Sequence, residues 1–99
     1  MIPNYFLTGI SITKGEIVHH RCFGYFTSFA ETQKFIEKAG SELVECCYNY
    51  LIIETIMPGV YALVEEKDCS WYRWDDLTSA WYACPPPIES RHTVNFAIG

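Results

Sequence analysis

The residues of this chain best suited to chemistry sit in two short stretches. Glu16, His19, His20 and Cys22 lie in the first, and three tryptophans, two tyrosines and Arg73 lie between Trp71 and Tyr82 in the second. Cys22 stands two residues from His20 on the same side of an extended strand, close enough to note as a thiol–imidazole pair, although one same-face coincidence in a short strand accounts for it more simply. No third group that would orient the His20 ring is evident. His19 and His20 cannot hold one metal ion together with Glu16 and Glu45, because adjacent strand residues point to opposite faces. The chain contains no Gly-rich phosphate loop, paired-carboxylate signature, zinc-protease helix or nucleophile elbow. What remains is recognition, so the expectation is a binding protein without enzymatic activity, cofactor or metal.

The second stretch suits recognition best. Trp71, Tyr72, Arg73 and Trp74, followed by Trp81 and Tyr82, place five aromatics and one guanidinium on a single hairpin. Trp71 and Arg73 share one face of an extended strand, and Tyr72 and Trp74 share the other. Aromatic planes stack on nucleobases at about 1–3 kcal/mol each, and arginine grips phosphate through two parallel hydrogen bonds. Aromatic cross-strand pairs also stabilise hairpins without any ligand, so this pattern fits a purely structural role as well. Arg21, Phe23 and Tyr25 form a second cluster on one strand face, and Arg91-His92 is a third cationic spot. The candidate ligand-binding residues are therefore Arg21, Tyr25, Trp71, Arg73, Trp74, Arg91 and His92.

Composition narrows the possible partners. The 99 residues carry 12 acidic and 7 basic side chains, a net charge of −5, and the basic residues are scattered. Such a chain lacks the clustered basic patch that generic nucleic-acid binding requires. With 49% hydrophobic and 16% aromatic residues against 19% charged, it is expected to fold as one domain of residues 1–99. Three Trp, seven Tyr and six Phe exceed what a core of this size encloses, so some must line a groove or an interface. Met1-Ile2-Pro3-Asn4-Tyr5 lacks the regions of a signal peptide, and no apolar run approaches the roughly 20 residues needed to span a bilayer. The cytoplasm is the expected compartment. The five cysteines are odd in number and form no C-x-x-C pair, which indicates reduced thiols rather than a disulfide framework or zinc knuckle.

The elements that must position these residues follow from periodicity. Residues 5–13 alternate as a strand, Lys14-Gly15 reads as a turn, and residues 16–26 form a second strand, giving a hairpin. In this strand Val18, His20, Cys22, Gly24 and Phe26 are expected on one face and Ile17, His19, Arg21, Phe23 and Tyr25 on the other. Ser28 and Glu31 form a capping-box pattern that opens the principal helix over 28–40. Its apolar stripe is Phe29, Thr32, Phe35, Ile36 and Ala39, and Leu43 continues it into a further turn. Residues 48–57 read as a central strand, with Tyr48, Tyr50, Ile52 and Ile56 on one face and Leu51 and Ile53 on the other. Pro58-Gly59 is a turn before a short strand over 60–64. Residues 69–74 and 80–84 form the aromatic hairpin, three prolines at 85–87 stop it, and a last strand covers 93–98. The expected fold is α+β, with a mainly antiparallel sheet of six to seven strands and one helix packed on one face. A sheet covered on one side only favours homo-oligomers or partner binding.

One pattern extends beyond single elements. It joins the run from Arg21 through Phe23-Gly24-Tyr25-Phe26 to Glu45-Cys46-Cys47-Tyr48-Asn49-Tyr50, Pro58-Gly59-Val60-Tyr61, Trp71-Tyr72-Arg73-Trp74 and Asn95-Phe96-Ala97-Ile98-Gly99. From about residue 20 to the end, the chain resembles a family of small proteins of phages, prophages and gut bacteria. The resemblance implies a phage accessory protein acting in the bacterial host cytoplasm, where evasion of host defence is a common role. It carries over no catalytic residue. Two functions are then expected to compete. One is a sponge that sequesters a nucleotide-derived immune signal, such as a cyclic oligonucleotide or cyclic ADP-ribose isomer, without turnover, in a pocket shared between identical subunits. The other is a direct inhibitor of a host defence protein such as a CRISPR effector, favoured by the −5 charge. A structural or regulatory phage component is a third reading.

Overall fold

The computed structural model describes residues 3–57, 68–87 and Phe96. Its elements are β1 (Asn4–Thr13), β2 (Glu16–Phe26), α1 (Phe29–Ala39), α2 (Glu42–Glu45), β3 (Tyr50–Ile56), β4 (Cys69–Asp75) and β5 (Ala80–Cys84). The strands form one antiparallel sheet in the order β2-β1-β3-β4-β5. The architecture is thus α+β with a single main helix. Among the described residues the sheet has five strands rather than six or seven. The expected Pro58-Gly59 turn, the strand over 60–64 and, apart from Phe96, the strand over 93–98 fall outside the described residues.

Local chemistry accounts for the joints. Lys14 and Gly15 both take positive φ, 54° and 78°, which a two-residue hairpin turn between right-twisted strands requires. Ser28 caps α1 by accepting from the Glu31 N–H at 3.4 Å. The helix ends at Gly40, whose N–H donates to the Ile36 carbonyl at 3.0 Å. Thr32 is buried because its hydroxyl donates to the Ser28 carbonyl at 2.9 Å, so the helix covers the sheet without an unsatisfied group there.

Two apolar layers result. On the helix face, Leu7, Leu51 and Ile53 meet Ile36 and Leu43, flanked by Tyr5, Phe23, Phe29, Tyr72 and Trp81. On the far face, Ile10, Ile52 and Trp71 form a second cluster under Phe96. β3 is central and buried from both sides over Leu51, Ile52 and Ile53, as its apolar run predicts, and burial extends to Glu54. Each fully buried aliphatic side chain contributes about 1.5–3 kcal/mol, and these residues cluster where β1 and β3 run side by side.

Two departures from strict alternation change which residues share a face. Register shifts between Leu7 and Thr8, and between Ser11 and Ile12, leave Phe23 and Val18 as the extra residues of β2. Each bulge reverses the parity beyond it. Phe23 consequently packs on the helix side, edge-on to Tyr48 at 5.3 Å, while Tyr25 turns to the far face beside Phe6 at 5.4 Å. The expected grouping of Arg21, Phe23 and Tyr25 on one face is therefore corrected. Tyr48 also leaves the face of Tyr50, because β3 begins only at Tyr50 and the Tyr48 ring lies with Phe23 over Gly9.

Asn49 joins these segments by copying a strand. Its side-chain carbonyl accepts from the Ile12 N–H at 2.9 Å, and its amide donates to the Ile12 carbonyl at 2.8 Å, while its own N–H donates to the Ile10 carbonyl at 3.2 Å. The β1–β3 ladder is thereby carried past the end of β3 by a side chain. Asn49→Ala is expected to lower the unfolding free energy by about 1.5 kcal/mol, since two hydrogen bonds are lost at a partly hydrated site. Urea unfolding checks this, and Asn49→Asp, which sets a carboxylate oxygen against the Ile12 carbonyl, should be at least as destabilising as Asn49→Ala.

Candidate functional site

The register of the sheet aligns far-face residues from every strand. His20 of β2 pairs with Ile10 of β1, Ile10 with Tyr50 of β3, Tyr50 with Arg73 of β4, and Arg73 with Tyr82 of β5. Neighbouring Cα atoms in such a row lie about 5 Å apart, so Arg73 has Tyr50 and Tyr82 as its cross-strand neighbours. Arg73 is exposed, Tyr50 half-buried and Tyr82 44% exposed. Among the described residues no carboxylate forms an ion pair with Arg73. An exposed arginine with a tyrosine as cross-strand neighbour on each side offers a charge-assisted fork for an oxyanion, with aromatic side chains on the adjacent strands for a planar group.

The adjacent row contributes the floor. Cys22, Thr8, Ile52, Trp71 and Cys84 follow one another across the sheet, and the Phe96 ring stands edge-on to Trp71 at 5.9 Å and to His20 at 5.7 Å. Trp71 is only 4% exposed. It supports the row without presenting a stacking surface. A pocket of about 350 Å³ opens at the end of the β4–β5 hairpin, between Trp71, Tyr72, Ala83, Cys84 and Pro86, and falls at the lower end of the range for small-molecule sites. Cys84 joins pocket and row. Burial pushes its thiol above the usual cysteine range, and the nearby Arg73 charge offsets part of that rise. The raised value favours the neutral thiol over the thiolate that a nucleophile would need. The five cysteines, all among the described residues, form no disulfide.

The sequence-derived candidates do not converge on one site. Trp71 and Arg73 share the far face. Trp74 faces the helix side, edge-on to Trp81 at 5.4 Å, with its indole N–H donating to Asp76 at 2.8 Å. Trp81 in turn donates to the Gly40 carbonyl at 3.0 Å, so this pair anchors the hairpin to α1. Arg21 pairs with Gly9 and lies on the helix side of the opposite edge strand, three strands from Arg73. Tyr25 is 61% exposed on the far face but beside Phe6, away from the arginine row. Arg91 and His92 lie outside the described residues. Sequence reasoning missed Tyr50 and Tyr82. The signal for Tyr82 was available, because closing the hairpin across residues 75–80 sets residue 82 opposite residue 73. The signal for Tyr50 was not, because it depends on pairing strands 23 residues apart across the sheet.

Cys22 and His20 share the far face, as expected, with the His20 ring edge-on to Phe96; His19 and Cys22 are also engaged locally. The His19 ring stacks on Tyr48 and shares a 3.1 Å hydrogen bond with its hydroxyl, while the Cys22 thiol lies 3.7 Å from the Gly24 carbonyl. Among the described residues, no group of three or more His, Cys, Asp or Glu side chains is placed to hold a metal ion. No described helix is long and apolar enough to cross a membrane. No protein-family model, curated protein or solved structure matches the chain.

Proposed function

We propose that this protein is a phage-encoded anti-defence protein that binds and sequesters a nucleotide-derived signal, of the cyclic oligonucleotide or cyclic ADP-ribose type, without turning it over. The observation that carries the reading is the exposed Arg73, set in register between Tyr50 and Tyr82; the 350 Å³ pocket is lined by the next far-face residues along those strands, Trp71 and Cys84. Such a ligand combines phosphate oxygens with planar bases, and the row matches that with one guanidinium and two phenol rings. Sequestration requires affinity alone, so neither a nucleophile nor a metal is needed. The bacterial host cytoplasm is the compartment where such a signal circulates.

The site is tested by calorimetric titration with cyclic dinucleotides. Arg73→Ala is expected to weaken binding at least tenfold, which corresponds to the loss of about 1.4 kcal/mol of charge-assisted hydrogen bonding. Trp74→Ala, on the other face, should leave affinity unchanged. Equal affinity in wild type and Arg73→Ala would remove the site.

A specific observation also favours the inhibitor reading, in which the protein occupies a basic site on a host defence enzyme. The β4–β5 turn carries Leu77 at 96% exposure on an acidic tip, and that tip is ordered by Asp75, which accepts from the Leu77 N–H and the Thr78 hydroxyl at 3.0 Å each. An apolar residue projected from a fixed acidic turn is the form an anchor for a cationic partner takes. Affinity capture from host lysate with wild type and Leu77→Asp distinguishes it: a stoichiometric protein lost only with the variant would favour the inhibitor.

A further inference from the structure

The two edges of the sheet are unlike. β2 carries two bulges and exposes His19, His20 and Arg21, features that discourage another strand from pairing there. β5 has neither defence. Its five residues, Ala80, Trp81, Tyr82, Ala83 and Cys84, carry no charge, their pairing with β4 is unbroken, and Ala80, Tyr82 and Ala83 are exposed. Among the described residues no strand lies beyond it.

We infer that β5 pairs antiparallel with β5 of a second copy, about a twofold axis at Tyr82, and so joins two sheets into one of ten strands. The occupant follows from the side chains. A twofold at Tyr82 sets Trp81 against the second copy's Ala83, and Ala80 against its Cys84, so large meets small on the helix face and small meets small on the far face. The same operation places the Asp75-Asp76-Leu77 turn of each copy beside the other copy's three prolines at 85–87. The acidic turns then lie at opposite ends of the ladder, where they do not repel, and Leu77, the most exposed large apolar side chain described, gains an apolar neighbour. The prolines lack N–H donors and end the ladder at Cys84, which fixes the register.

The pairing deepens the proposed function and rests on it for its ligand. A twofold perpendicular to the sheet keeps both far faces on one side, so the rows read Arg73, Tyr82, then the second copy's Tyr82 and Arg73. Three strand spacings, about 14 Å, separate the two arginine backbones, and both side chains can lean over the central tyrosine pair. One symmetric site with two guanidiniums fits a twofold-symmetric ligand with two phosphates, namely a cyclic dinucleotide, bound once per dimer.

Light scattering on the purified full chain, with and without cyclic diadenylate, tests both parts. The wild type should show twice the 11.4 kDa of one chain. Ala83→Lys should show one chain mass with an unchanged far-ultraviolet spectrum, while Val18→Lys, on the β2 edge, should remain dimeric. A monomeric wild type, or a dimer dissociated by Val18→Lys and not by Ala83→Lys, would overturn the inference whatever the ligand result. A dimer that dissociates as expected but binds no cyclic nucleotide would sustain the pairing and remove the ligand. Binding at one ligand per monomeric chain would sustain the ligand and remove the pairing.

Discussion

Glu54→Ala is expected to lower the unfolding free energy by about 3 kcal/mol. Glu54 is 1% exposed at the centre of the sheet, between Phe6 of β1 and Cys69 of β4. Both of its carboxylate oxygens accept from the Phe96 N–H at 3.0 Å. That bond fixes the backbone from which the Phe96 ring covers Ile10, Ile52 and Trp71. Removing a buried acceptor leaves its donor unsatisfied at a cost of about 1–3 kcal/mol, and truncation also leaves a cavity. Glu54→Gln keeps an acceptor oxygen and should cost about 1 kcal/mol. In Glu54→Ala the emission of Trp71 should shift to the red as Phe96 loosens. Unchanged stability and emission would show that Phe96 is held by packing alone.

Gly9→Ala should destabilise by a similar amount, about 3 kcal/mol, for a different reason. A Cβ on Gly9 would lie 2.8 Å from two carbons of the Phe23 ring and 2.8 Å from the Tyr48 ring. Those rings meet edge-to-face at 5.3 Å directly over the glycine, and Tyr48 also holds His19. Neither can retreat without breaking the other contact. Overpacking of this kind costs typically 1–3 kcal/mol. Phe23→Leu combined with Gly9→Ala should recover part of the loss, because the smaller side chain vacates the space. Chemical denaturation of the two single variants and the double variant measures the coupling, and strict additivity would mean that the rings are not the obstacle.

These two positions show what the sequence revealed and what it hid. The β1–β2 hairpin, the capped helix, the central β3 and the aromatic hairpin were legible, because each is written in local periodicity, a turn dipeptide or a cap. Where one extra residue enters a strand, periodicity fails. The bulge at Phe23 separates Tyr25 from Arg21, and nothing in the surrounding residues signals its position. Gly9 gave no sign of being a platform for two rings, since the ring from Tyr48 arrives from 39 residues away. Glu54 did give a sign, as the one charge in the run Leu51-Ile52-Ile53-Glu54-Thr55-Ile56, because an ionisable group is rarely buried without a partner.

The arginine row was half legible. Trp71 and Arg73 on one face, and Tyr72 and Trp74 on the other, follow from alternation, and the two apolar clusters divide Trp71 from Tyr72 in that way. Burial does not follow from alternation. Trp71 looks like a stacking platform in the sequence and proves to be core, while the aromatic neighbours of Arg73 are the exposed Tyr82 and the half-buried Tyr50. A residue's partners across a sheet depend on registers set by several strands at once, and only the hairpin register is local.

Sequestration of a nucleotide-type signal is tested most directly by thermal unfolding of the purified chain against cyclic di- and trinucleotides and cyclic ADP-ribose isomers, followed by recovery of the ligand. A compound present at about 100 times its dissociation constant should add about 2.7 kcal/mol to stability. The expected result is a raised midpoint with one compound of the panel, abolished by Arg73→Ala, and release of that compound chemically intact after heating. An unchanged midpoint with every compound, or recovery of a cleaved product, would contradict a non-catalytic sponge.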